Sequence, residues 1–101
     1  MATELIQSTG KVVFLRAHEV GSAYGPPGDQ IDVEVVVRLD SVPDRAMGFR
    51  MRNDANRLAH RAMFDLLRAA FEQELRTTID YYIDLDAGDN NGRAIRAWLT
   101  K

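Results

Sequence analysis

Five segments that alternate apolar and polar residues, and one long segment with helical spacing, predict a mainly β protein with one helix. Their order along the chain is β-β-β-α-β-β, the order of a five-stranded OB-like barrel whose helix plugs the open end. An α+β open sheet with the helix on one face is the alternative. The 101 residues suffice for one core and fall short of two, so residues 1–101 read as a single domain.

The first strand is read from Leu5 to Val20, bent near Gly10. In its segment KVVFLRAHEV, Val12, Phe14 and Arg16 alternate with Val13, Leu15 and Ala17. GSAYGPPGDQ, with three glycines and two prolines, follows as a loop. In IDVEVVVRLD, Ile31, Val33, Val35, Val37 and Leu39 share one face, and Asp32, Glu34, Val36, Arg38 and Asp40 the other. SVPDR turns the chain into AMGFRMR, a third strand with Met47, Phe49 and Met51 inward and Arg50 and Arg52 outward.

Asn53 or Asp54 is the expected cap of a helix over ANRLAHRAMFDLLRAAFEQE. Leu58, Ala59, Ala62, Met63, Leu66, Leu67, Ala70 and Phe71 form its broad apolar face. Arg61 with Asp65, and Arg68 with Glu72, are pairs four apart on the wet side. Period two returns in LRTTIDYYIDL, with Ile79, Tyr81, Ile83 and Leu85 inward. The last strand, RAIRAWLT, places Ile95, Ala97 and Leu99 inward and Arg96, Trp98 and Thr100 outward.

DLDAGDNNG, between these two strands, invites a calcium reading. An EF-hand loop needs glycine at its sixth position and glutamate at its twelfth. Counting from Asp84 puts Asp89 and Ile95 there, and counting from Asp86 puts Ala97 at the twelfth, so the motif fails. A hairpin loop is expected instead, with Asn91-Gly92 supplying left-handed backbone.

The run from Arg61 to Leu99 resembles the C-terminal half of the small OB-fold B subunits of bacterial AB-type enterotoxins, the cholera and pertussis toxin class. The matching elements are a helix ending rich in leucine and alanine (Met63 to Phe71) and a strand (Thr77 to Ile83). An Asn- and Gly-containing loop (Asn90 to Gly92) and a last strand (Ile95 to Leu99) complete them. The resemblance implies a barrel that assembles as a homo-oligomeric ring, often a pentamer, and recognises glycans. That family is secreted and usually carries a disulfide, whereas this chain has no cysteine. The fold and the tendency to self-associate are therefore carried over, and no receptor or binding residue is.

The chain shows no basic head followed by an apolar run and no apolar stretch of membrane-spanning length, so a cytoplasmic protein without membrane insertion is expected. A net charge of −2 argues against nucleic-acid binding by bulk electrostatics. The charge is nevertheless zoned. Six arginines face three aspartates between Asp44 and Arg68, and six acids face one arginine from Glu72 to Asp89. Eleven of the thirteen basic residues are arginine, which suits bidentate pairing with carboxylate or phosphate.

No catalytic constellation emerges. His18 and His60 lie in separate elements with no second histidine or cysteine near either, so no metal and no cofactor is expected. Serines and threonines lack a strained nucleophile turn, and Asp80, Asp84 and Asp86 alternate along a strand as a solvated or salt-bridged face would. A non-enzymatic binding or scaffolding module is expected, with itself as partner and a further protein as another. Val36, Phe64, Tyr82, Arg96 and Trp98 are the candidate subunit contacts, because large apolar groups there interrupt faces otherwise polar. The alternative is a domain for saccharide or single-stranded nucleic acid, using Tyr24, Arg50, Arg52, Asp86 and Asn90 on the loops such barrels use for ligands. Arg16, Arg38, Arg50 and Arg52 are expected to make a basic face, without aromatics from the second and third strands.

Overall fold

A computed structural model describes residues 3–19, 33–51, 55–86 and 91–101, the side chains of 18 and 19 excepted. The elements are β1 (Thr3–Glu19), β2 (Val33–Leu39), β3 (Met47–Met51), α1 (Arg57–Gln73), β4 (Arg76–Asp84) and β5 (Gly92–Thr100). The expected chain order holds. Around the molecule the order differs: the strands close a barrel as β1-β2-β3-β5-β4, so the open-sheet alternative fails.

Closure depends on the length of β1. Its first half pairs antiparallel with β4, from Thr3 opposite Asp84 to Lys11 opposite Arg76. Its second half pairs with β2, from Val12 opposite Leu39 to Glu19 opposite Val33. The partner changes at Lys11 and Val12, beside the bend expected near Gly10. The seam is a short parallel pairing of β3 with β5, Met47 opposite Gly92 and Gly48 opposite Arg93. Two bonds from the segment before β3 brace it: Gly92 N–H donates to the Ala46 carbonyl (2.8 Å), and Ala46 N–H to Asn91 Oδ1 (3.2 Å).

The barrel interior holds Val12, Val35, Val37, Leu39, Met47, Phe49, Ile79, Tyr81, Ile83 and Ala94, with Leu67 and Ala70 of α1 packed against them. Tyr81 is fully buried. Its hydroxyl lies 2.7 Å from Ser8 Oγ and accepts from Arg45 Nη1 at 2.9 Å, while that guanidinium also lies over the ring. A Cβ at Gly92 would run into this ring, so glycine is needed for close approach. Neither Asn91 nor Gly92 is left-handed, which corrects the expected backbone there; among the described non-glycine residues the positive φ belongs to Glu74, at 53°, closing α1.

Several inward assignments change. Two bulges reverse the alternation they interrupt. Between Val12 and Phe14 the register of β1 shifts, so Val12 faces the core and Phe14 the surface. Between Asp80 and Tyr81 the pairing with β5 shifts, which buries Ala94 and leaves Ile95 exposed. Leu85 lies beyond the end of β4 and is exposed. The helix cap is Asn56, whose carbonyl accepts from His60 N–H at 3.0 Å; Asn53 and Asp54 lie outside the described residues. Among the described residues, no helix is long and apolar enough to cross a membrane.

Candidate ligand-binding face

Two outer faces of the barrel carry aromatic and charged side chains. On the first, Phe14 of β1 stands opposite Arg38 of β2, Arg16 opposite Val36, and Glu34 opposite Arg50 of β3. Phe14 is 37% exposed, with the guanidinium carbons of Arg16 and Arg38 at 5.8 and 5.5 Å from its ring centre. This range suits cation–π attraction. Arg50 reaches Glu34 at 3.6 Å. Gly48 stands opposite Val36, and a Cβ there would meet the Val35 carbonyl oxygen. The result is a low floor beside a raised aromatic flanked by two cations.

The expected basic face is therefore present in Arg16, Arg38 and Arg50, and β1 supplies the aromatic missing from β2 and β3. Sequence alternation hid it, because Phe14 falls in step with Val12 until the bulge is known. The signal was available in VVF, where consecutive apolar residues cannot all face the core of a period-two strand.

The second face spans β1, β4 and β5. Asp80 is only 3% exposed although it points outward. Gln7 Nε2 donates to its Oδ1 at 3.0 Å, and Arg96 donates to Oδ2 from Nε at 2.9 Å and from Nη2 at 2.6 Å. Burial alone pushes the Asp80 carboxyl up; the bonds from Gln7 and Arg96, with the Arg96 charge, outweigh it and hold the group below its ordinary range. Thr9 and Thr78 bond through their hydroxyls at 2.8 Å in the next row. Arg96 also covers the Trp98 ring, and Arg93 covers Tyr82.

The candidate contact residues thus separate. Tyr82, Arg96 and Trp98 share the second face, each engaged by a neighbour of its own chain. Val36 lies half-buried on the first face. Phe64 was expected on the wet side of α1 and instead packs half-buried against the core. His60 is half-buried, stacked on Phe49 with ring centres 5.1 Å apart, and its Nδ1 has no hydrogen-bond partner. Of the candidate ligand residues, Arg50 lies on the first face and Asp86 is exposed after β4, its N–H donating to Asp84 Oδ1 at 2.9 Å. Tyr24, Arg52 and Asn90 lie outside the described residues, as does the side chain of His18.

Comparison of the chain with protein-family models, with curated proteins and with solved structures gives no match.

Proposed function

We propose that this chain is a non-enzymatic binding module of the OB type, and that the β1–β2–β3 face takes single-stranded nucleic acid. The observation that carries the reading is Phe14, exposed between Arg16 and Arg38. An aromatic face stacks on any base, for about 1–3 kcal/mol per base, and arginines beside it pair with the flanking phosphates. The OB assignment is supported by the closed strand order with β3 parallel to β5. With a net charge of −2, attraction to phosphate is local to this face.

Fluorescence anisotropy with a labelled single-stranded oligonucleotide, at low and at physiological salt, tests the reading. Binding that weakens with salt is expected. Phe14→Ala should weaken it by about tenfold or more. Arg38→Ala should weaken it and flatten the logarithmic salt dependence by about one unit. Absence of binding at low salt overturns the proposal.

A second reading, self-association, is favoured by a separate observation: Ala59 and Ala62 of α1 and Ile95 of β5 line one open groove, and Leu58 is exposed one residue before it on the helix. It is also what the enterotoxin-like pattern implies.

A further inference from the structure

β1 joins the two outer faces of the barrel into one surface. Its outward side chains run from Gln7 and Thr9 on the second face, through Lys11, to Phe14 and Arg16 on the first. Lys11 stands where β1 leaves β4 for β2, directly opposite Arg76 of β4. Both side chains are exposed, and among the described residues neither has an ion pair. Asp40, just past β2, spends its Oδ1 on the Lys11 backbone N–H, at 2.9 Å. Like charges directly opposite on neighbouring strands repel, and an anion seated between them removes that cost. One row further along β4, Thr78 stands opposite Trp98 of β5. Arg96, fixed by two bonds to Asp80, covers the Trp98 ring and is itself exposed. Bases stack on guanidinium planes as they do on aromatic rings. Strand spacing and rise put Trp98 roughly 20 Å from Phe14 over the surface. An OB fold holds roughly 4–16 nucleotides, enough to cover that path.

We propose that a single strand stacked on Phe14 continues across β1 onto the β4–β5 face, one phosphate held between Lys11 and Arg76 and a base resting on Arg96 over Trp98. The inference rests on the nucleic-acid reading of Phe14 and extends its footprint. The order of groups along the path, aromatic, cation pair, then guanidinium on aromatic, matches the alternation of base and phosphate in a strand. The cation pair also explains why the path turns at Lys11: there β1 changes partner, so the two faces meet at that residue.

Trp98 is the single tryptophan of the chain, so its fluorescence reports on the second face alone. Titration with an unlabelled oligothymidylate of about ten nucleotides, inside the range one OB fold holds, tests the path. Trp98 emission is expected to change along the same saturation curve as the anisotropy of a labelled strand. The double variant Lys11→Gln, Arg76→Gln should weaken binding by about threefold or more and lower the slope of log affinity against log salt by about 0.7, the share of one phosphate on a single strand. Without nucleic acid it should melt no lower than wild type, because the repulsion is gone; this separates lost binding from lost fold. Absence of binding at low salt overturns the nucleic-acid reading and this path together. Binding that leaves Trp98 emission unchanged, or a double variant with the wild-type salt slope, overturns the path and leaves the Phe14 reading standing. A double variant that melts lower than wild type overturns the unpartnered cation pair on which the path depends.

Discussion

Asp80 shows how an acid survives on the buried part of a sheet's outer face. β4 is flanked by β1 and β5, so a side chain at its centre loses water even when it points away from the core. Gln7 from one neighbour and Arg96 from the other replace that water. Arg96 is itself 65% exposed, so the two partners are unequal: removing Asp80 leaves a solvated cation, whereas removing Arg96 leaves a poorly solvated anion. Arg96→Ala should therefore destabilise the fold by about 1–3 kcal/mol near neutral pH. A lowered carboxylate pKa stabilises the fold above the unfolded value, near 4, and that contribution is lost as pH falls through the lower folded value. The gap between wild type and Arg96→Ala should accordingly close in acid. Urea unfolding at pH 7 and pH 3 checks this, and an equal gap at both refutes the role given to Arg96.

At the level of elements, α1 ends in a strained residue. Glu74 sits at φ 53° and ψ 43°, its N–H donating to the Ala70 carbonyl, and Leu75 N–H reaches the same oxygen at 3.1 Å. A side chain in this conformation pays a steric penalty that glycine escapes. Glu74→Gly should stabilise the protein by about 0.5–1 kcal/mol, the gain being reduced by glycine's greater freedom in the unfolded chain. Thermal unfolding checks the sign, and a lower midpoint refutes the strain. The helix periodicity was readable, including Arg61–Asp65 and Arg68–Glu72, which form at 3.5 and 3.1 Å. Which part of its apolar stripe meets the barrel was not readable. The stripe is an angle around the helix axis, and only the packed strands decide how much of that angle they occupy.

The whole barrel is held closed by one long strand, since β1 supplies the partner for β4 in its first half and for β2 in its second. Removing residues 1–9 should leave the β4 edge unpaired and abolish cooperative thermal unfolding, as followed by circular dichroism. A truncated chain that still melts in a single sharp step contradicts this account of closure. Sequence alone determined the element types, their chain order, the inward faces of β2 and β3, and the arginine-rich composition of the surface. Those properties are local, set by period, turn residues and charge. The tertiary structure decided the ring order, the burial of Asp80, and the outward placement of Phe14 and Ile95. Each depends on a bulge or a neighbouring strand. A bulge adds one residue to one side of a ladder, and in a period-two element that single residue reverses which side chains face the core. Phe14 and Ile95, exposed apolar groups on the two surfaces proposed for contacts, both follow from that reversal.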